Sequence, residues 1–124
     1  MRLLVLKAYL SLIKFDIYLR RGNFSSLYER VRTYPISRRL FQEESIERVC
    51  DAVNMASIWY GKEVLCLQRS AATTCLLRRH GIDAQLVIGA RPMPFKAHAW
   101  VEVNGRVVND KQYTPAVYAV LERC

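Results

Sequence analysis

The chain of 124 residues is long enough for one domain, and 52% of its residues are apolar, which excludes an intrinsically disordered protein. Its 19 lysines and arginines exceed its 11 acidic residues, and the formal charge of +8 suits either an acidic partner or an ordinary solvated surface. The arginines are scattered, without zinc-finger spacing or an aromatic RNA-binding signature, so we expect no nucleic-acid partner.

The first segment and the cysteines indicate the compartment. Residues 1–19 are rich in apolar side chains, but Lys7, Lys14 and Asp16 interrupt the run, and no small-residue cleavage site follows. We therefore expect an amphipathic helix and no transmembrane segment. The cysteines, at positions 50, 66, 75 and 124, lack C-x-x-C metal spacing. Together these features predict a reducing, cytoplasmic location with mostly free thiols.

Apolar periodicity predicts a helical first half, residues 1–60, ahead of a catalytic second half, residues 61–124, within a single domain 1–124. Residues 2–20 form the first helix. A stripe along it could pack on the core or hold a partner protein; its members are Leu3, Leu6, Leu10, Ile13 and Ile17.

The next helices are marked by their ends. Ser26 and Glu29 match a capping box that opens the second helix, and Pro35 stops it. Residues 44–60 repeat apolar positions every three or four residues, which predicts a third helix. A fourth runs from about residue 66 to 80, where a glycine follows as a C-cap.

After residue 84 the pattern changes from helix to strand. Residues 85–88, 97–102 and 106–110 predict three strands, and the tail, residues 113–121, is a candidate for a further one. Helices followed by an antiparallel sheet are the α+β pattern, with a small sheet for the helices to pack on.

Cys66 is the best candidate nucleophile because it starts the fourth helix. The positive end of the helix dipole and a nearby imidazolium both favour a thiolate. Cys50 and Cys75 lie on core-facing helical positions, and Cys124 at the end of the chain is expected to be too mobile. Ser70 is a weaker candidate because a hydroxyl would need a stronger base.

His98 is the candidate base, and Asp110 is the candidate residue that orients it. His98 lies at the start of a strand beside a loop, where a rigid scaffold presents working groups. His80 lies in the last turn of a helix, where the dipole already explains a positive charge, so it is a poor candidate.

The hairpin register decides whether these two residues meet. A two-residue turn at Asn104 and Gly105 would place His98 opposite Lys111 and send Asp110 to the other face. A three-residue loop with a bulge at Gly105 would place His98 opposite Asp110, with Cβ atoms about 5 Å apart. We predict the three-residue loop because only that register lets the aspartate hold the imidazole.

In this scheme His98 accepts the thiol proton and later protonates the leaving amine, while Asp110 fixes the tautomer. The main-chain N–H of Cys66 is one candidate oxyanion donor, and Tyr60 or Trp59 could be the second. We expect no metal ion and no cofactor.

Five segments surround the three candidate residues. They are 66–70 (CLQRS), 76–82 (LLRRHGI), 86–89 (LVIG), 94–102 (PFKAHAWVE) and 107–110 (VVND). Over about residues 60–110 they resemble the leader peptidases of lasso-peptide biosynthesis, a branch of the transglutaminase-like cysteine-protease superfamily. All three motif positions, Cys66, His98 and Asp110, are filled.

The resemblance implies a papain- or transglutaminase-like fold and hydrolysis of one bond between the leader and core of a ribosomally made precursor. It also implies partners: the precursor leader peptide, a separate leader-recognition protein and an ATP-dependent lasso cyclase. A chain of 124 residues leaves no room for a recognition domain, which predicts the split, peptidase-only form.

Three alternatives remain open at this stage. A transglutaminase-like acyltransferase would share the triad but pass the acyl group to an amine. A non-catalytic basic module would bind peptide or nucleic acid with steep salt dependence. A zinc site could use Cys66, His98 and Asp110 as ligands.

Overall fold

The computed structural model describes residues 2–39 and 42–124. Met1, Leu40 and Phe41, which belong to the predicted helical half, lie outside the described residues. Five helices and four strands follow one another in the order α1 (Arg2–Arg20), α2 (Phe24–Arg32), α3 (Glu43–Ile58), α4 (Cys66–Arg79), β1 (Ala84–Arg91), β2 (Lys96–Val103), β3 (Arg106–Val107), α5 (Thr114–Val117) and β4 (Ala119–Arg123).

The helical half packs around α4. Helix α1 contacts both α3 and α4, and it buries Ala8, Leu12 and Phe15 against them. The predicted apolar stripe lies on the other side, where Leu3 is 64% and Leu10 is 56% exposed. The expectation that the stripe packs on the core is therefore wrong. Helix α1 is apolar on more than one face, and the face with the small Ala8 side chain is the one that lies against the core.

The start of α2 also differs from the prediction. Asn23, rather than Ser26, is the N-cap, and its side-chain oxygen accepts a hydrogen bond of 3.3 Å from the Ser26 main-chain N–H. Ser26 therefore occupies the third helical position. Asparagine caps helices as well as serine does, so the capping-box pattern placed the start of the helix too late in the chain.

The four strands form one antiparallel sheet in the order β3-β2-β1-β4. Strands β1 and β2 pair over their full length, from Ala84 opposite Val103 to Arg91 opposite Lys96. The tail, a candidate strand over residues 113–121, forms the short helix α5 and then β4, which pairs with β1 on both sides of a bulge. Leu86, Ala99 and Val101 face the helices in the main core, so the predicted α+β class is confirmed.

The predicted hairpin register is wrong. Glu102 pairs with Val107 and Val103 with Arg106, which leaves a two-residue turn at Asn104 and Gly105. Both turn residues have positive φ, 53° and 76°, as a type I′ turn requires. Asparagine followed by glycine adopts this turn readily, and its twist matches that of the flanking strands, so no bulge is needed.

Candidate active site

His98 and Asp110 lie side by side despite the two-residue turn. Nε2 of His98 is 2.5 Å from Oδ2 of Asp110, and each side chain is 19% exposed. Because an ionised carboxylate only accepts hydrogen bonds, Nε2 is the nitrogen that carries the proton. Nδ1 of His98 has no hydrogen bond to any residue that the structure describes, so it is available to a reacting group.

A bend after β3 brings Asp110 to the histidine. The main-chain N–H of Val108 still donates to Val101, at 3.0 Å, but the N–H of Val101 turns to the side-chain oxygen of Asn109, at 2.8 Å. The Asn109 amide thus replaces the main-chain carbonyl of Val108, which instead accepts from the Cys50 thiol. The chain leaves the regular ladder there, and Asp110 returns toward His98.

Asp110 is held in its ionised form. Burial by itself raises the pKa of this carboxyl, but hydrogen bonds from His98 and from the Lys111 main-chain N–H oppose it. The charges of His98 and Arg69 act in the same direction, and the net result is a pKa below the usual range. A carboxylate in this state can fix the imidazole tautomer and stabilise an imidazolium.

Cys66 is the first residue of α4, and its side chain is half-buried. The preceding residue, Leu65, carries an apolar side chain that cannot cap the helix. The first N–H groups of α4 are therefore free to donate to another acceptor. Among the described residues, the Cys66 thiol has no hydrogen bond to His98 or Asp110. Hydrogen bonds made by the next turn of α4 connect this end of the helix to the segments that carry His98 and Asp110.

That turn carries Ser70, four residues after Cys66 and therefore on the same face of α4. The Ser70 hydroxyl donates to the carbonyl of Ala99, next to His98, at 3.1 Å. The same hydroxyl accepts from the side-chain amide of Asn109, next to Asp110, also at 3.1 Å. This bridge ties the helix that begins with Cys66 to both segments of the histidine–aspartate pair.

The other candidate nucleophiles are occupied. Ser70 is fully buried and already makes both hydrogen bonds of the bridge, so it is unsuited to attack a substrate. Burial raises the pKa of Cys50 and of Cys75 to about 11, which keeps both thiols protonated and agrees with their predicted core positions.

The expectation that Cys124 is too mobile is wrong. Its main-chain N–H and carbonyl both pair with Leu86, and its carbonyl also accepts from Arg78 at 2.7 Å. Burial raises the pKa of this thiol as well. The β-ladder therefore fixes this residue, while its environment favours an unreactive thiol.

Neither suggested second oxyanion donor suits that role. The Tyr60 hydroxyl donates to Asp16 at 2.9 Å, and burial together with this carboxylate raises its pKa to about 12. Trp59 is 72% exposed at the end of α3. The free N–H groups at the start of α4 are the donors that the fold does provide.

Aromatic side chains surround His98 on its face of the sheet. The Tyr118 ring is 5.1 Å and the Trp100 ring 6.0 Å from the imidazole, measured between centroids. Trp100 is fully buried, and its indole N–H donates to Glu102 at 2.9 Å. Sequence patterns did not single out Tyr118 or Asn109. The signals available were an aromatic residue just before the last strand and an amide beside the candidate aspartate.

Within residues 2–39 and 42–124, no three His, Cys, Asp or Glu side chains are grouped so that they could hold a metal ion, and the zinc alternative has no support there. Over the same described ranges, no helix is both long and apolar enough to cross a membrane.

The sequence of the chain matches a known superfamily. The sequence profile described as the transglutaminase-like superfamily matches residues 10–123, so the chain belongs to that superfamily, as its motifs indicated. The chain is also similar to the microcin J25-processing protein McjB of Escherichia coli, with 53% identity over 45 residues. The aligned segment covers 36% of this chain and only 22% of the relative's length. No solved structure gives a significant match.

Proposed function

We propose that the protein is a cysteine peptidase that removes the leader from a ribosomally synthesised precursor during lasso-peptide maturation, with Cys66, His98 and Asp110 as its catalytic residues. The carrying observation is the His98–Asp110 pair, tied by the Ser70–Asn109 bridge to the helix that begins with Cys66. Superfamily membership and similarity to a microcin-processing protein support the same reading.

The mechanism begins with proton transfer from the Cys66 thiol to Nδ1 of His98, because Nε2 is engaged by Asp110. The thiolate attacks the carbonyl carbon of the scissile bond, and the free N–H groups at the start of α4 stabilise the oxyanion. The C–N bond then breaks as His98 returns the proton to the leaving amine. Water, activated by His98, hydrolyses the thioester and restores the thiol.

Hydrolysis is favoured over transfer to an amine. The related protein is named for processing, which supports a reaction that separates a peptide into two parts. A transglutaminase-like acyltransferase would use the same thioester but would yield a product that grows with added amine. Mass analysis of products with and without a primary amine distinguishes the two reactions.

We also propose that residues 1–124 act as one domain in the cytoplasm. A core shared by α1, α3, α4 and the sheet supports the single domain. Four free cysteines suit a reducing compartment. The proposed partners are the precursor leader, a separate leader-recognition protein and an ATP-dependent cyclase that acts on the product.

The test is a cleavage assay in which this protein, the recognition protein and the precursor are mixed and the products are weighed by mass spectrometry. Cys75→Ala is the matched control for Cys66→Ala, since both residues lie on α4 and only Cys66 starts it. We expect a single cut with wild type and Cys75→Ala, and no cut with Cys66→Ala. A cut that survives in Cys66→Ala would assign the chemistry to another residue.

A second readout does not need the precursor. Iodoacetamide should label Cys66 in the folded protein well before Cys50 and Cys75, because those two thiols are buried and their pKa values are raised to about 11. Tryptic mass mapping gives the order of labelling. Labelling of Cys50 or Cys75 ahead of Cys66 would contradict the proposed nucleophile.

A further inference from the structure

A second site lies at the opposite end of α4 from Cys66. A pocket of about 540 Å³ opens between α1, α2 and the end of α4, and four of the ten residues that line it are lysine or arginine. The residues that define this cationic pocket are Lys7, Arg30, Tyr34, Arg39, Arg79 and His80. Neither the proposed mechanism nor the triad uses any of them.

Three cations converge on the ring of Tyr34. The Lys14 ammonium is 5.9 Å, the Arg30 guanidinium 5.7 Å and the Arg79 guanidinium 5.9 Å from the ring centroid. Nε of Arg79 also donates to the Tyr34 hydroxyl. Attraction to the π-face holds each cation there, but it also brings three like charges close together.

Across the side chains that the structure describes, no carboxylate forms a salt bridge with Lys14, Arg30 or Arg79. Burial, together with the nearby charges of Arg30 and Arg79, holds the pKa of Lys14 below its usual range. An anion in the pocket would offset the repulsion between Arg30 and Arg79, which line it together with Lys7 and Arg39.

We propose that the cationic pocket binds an acidic polypeptide segment through its side-chain carboxylates. The volume lies in the range of pockets that hold drug-sized ligands and exceeds the needs of a lone phosphate. The cations gather around one ring, whereas proteins that bind single-stranded nucleic acid align their cations along a groove that follows the phosphates. A short acidic stretch therefore fits the pocket better than a nucleic acid does.

The position of the pocket suggests what binding would achieve. Cys66 and Arg79 begin and end α4, so they are separated by about 20 Å along the helix axis. An extended peptide covers about 3.3–3.6 Å per residue, so an anchored segment would lie six or more residues from the bond at Cys66. This anchoring role rests on the proposed peptidase function, whereas the binding itself does not.

The probe is a fluorescein-labelled peptide with four glutamates, compared by fluorescence anisotropy with the same peptide carrying four glutamines. The protein is the full chain with Cys66→Ala, so that binding is measured without cleavage. Arg30→Gln with Arg79→Gln removes two cations from the pocket, and Arg2→Gln with Arg21→Gln removes two exposed cations outside it as the matched control. Circular dichroism and thermal melts check that both double variants fold.

We expect the glutamate peptide to bind in a salt-dependent manner and the pocket variant to lose about tenfold in affinity, with less than about twofold loss in the control. Displacement of the probe by the precursor would identify the substrate as the source of the carboxylates, and displacement by the recognition protein would identify the partner.

Three results would overturn the proposal. They are equal binding of the glutamine peptide, equal loss of affinity in both double variants, and displacement by a single-stranded oligonucleotide at lower concentration than by unlabelled glutamate peptide. The variant Tyr34→Phe gives an independent check, because it keeps the ring but removes the hydroxyl that positions Arg79. Tyr34→Phe should weaken probe binding while the protein stays folded at the temperature of the binding assay.

Discussion

At the scale of single residues, the site depends on one amide side chain. Asn109 accepts from the main chain of β2 and donates to Ser70 on α4, and the residue after it is Asp110. His98 therefore meets the Asp110 carboxylate because the Asn109 side chain takes the place of a main-chain acceptor, and not because of the strand register. A positioning residue of this kind acts on the reaction only through its neighbours.

Removing the Asn109 side chain should show whether this residue positions Asp110 or binds the substrate. In Asn109→Ala we expect kcat to fall about tenfold or more, with little change in KM, because the Asp110 carboxylate loses its alignment with His98 while peptide binding persists. Steady-state cleavage kinetics provide the measurement. Gln85→Ala, which removes an exposed side-chain amide on β1, is the control and should behave as wild type. A selective rise in KM in Asn109→Ala would point to substrate binding instead.

Asp110 should also give stability a defined pH dependence. The folded protein holds the pKa of this carboxyl below its ordinary value of 3.8, so folding favours the ionised form. The resulting stabilisation is present above about pH 4 and is lost as the pH falls through the lower folded pKa. We therefore expect the stability difference between wild type and Asp110→Asn to be larger at pH 6 than at pH 2.5.

Urea unfolding at the two pH values measures this difference. Asp83→Asn, which changes an exposed carboxyl, is the control and should give a smaller change between the two pH values. A wild-type advantage over Asp110→Asn that stays constant from pH 6 to pH 2.5 would show that the ionised pair contributes nothing to folding.

At the scale of elements, α4 organises the molecule from both ends. Its first residue is the proposed nucleophile, and its last turn carries Arg78, which is only 5% exposed. The Arg78 guanidinium donates to the carbonyls of Val31, Tyr34, Ala84 and Cys124, which belong to the end of α2, the segment after it, the start of β1 and the residue that follows β4. Arg78 therefore joins four parts of the fold.

Replacing Arg78 with methionine keeps a long, flexible side chain but removes every donor. We expect Arg78→Met to lower the free energy of unfolding by about 2–5 kcal/mol, because several buried carbonyls lose a charged partner. Chemical denaturation measures the change. Arg106→Met, at an exposed arginine on β3, should change stability by less than about 0.5 kcal/mol. Equal losses in the two variants would refute the role given to Arg78.

At the scale of the whole molecule, α1 leaves an apolar face uncovered. Leu3, Leu6 and Leu10 are each more than half exposed on that face, and the stripe continues through Ile13 and Ile17. Large exposed apolar patches mark interaction surfaces more often than single exposed residues do. Within the proposed split system, the separate recognition protein is the partner expected to cover this stripe.

Two negative charges introduced on the stripe should weaken binding of the recognition protein. We expect Leu10→Glu with Ile13→Glu to weaken the complex with the recognition protein by at least about tenfold and to slow cleavage, while thermal stability changes little because both residues are exposed. Size-exclusion chromatography of the purified pair provides the binding readout. The control is Ile58→Glu with Leu121→Glu, at exposed residues elsewhere. Unchanged association in the stripe variant would move the interface to another face.

The sequence by itself predicted helices α1 to α4, strands β1 and β2, and the start of β3, and it named the candidate residues; it missed α5, which lies in the tail expected to be a strand. Periods of 3.6 and 2, glycines at helix ends and the asparagine–glycine dipeptide are local signals, and they act over a few residues. They predicted α4 to begin at Cys66 and the tail to add β4. The superfamily that the motifs indicated is confirmed by the match over residues 10–123.

Only the tertiary structure decided which face of α1 is buried, how Asp110 reaches His98 and what Arg78 holds. Each of these depends on contacts between residues far apart in the chain, such as Ser70 with Asn109 or Arg78 with Val31. The asparagine–glycine pair favours the observed two-residue turn, but the three-residue loop was predicted because it alone was expected to bring Asp110 to His98. The departure from the ladder that achieves this contact needs a partner on α4. Local preference fixes the elements, whereas the competition of distant groups for hydrogen bonds and burial fixes the site.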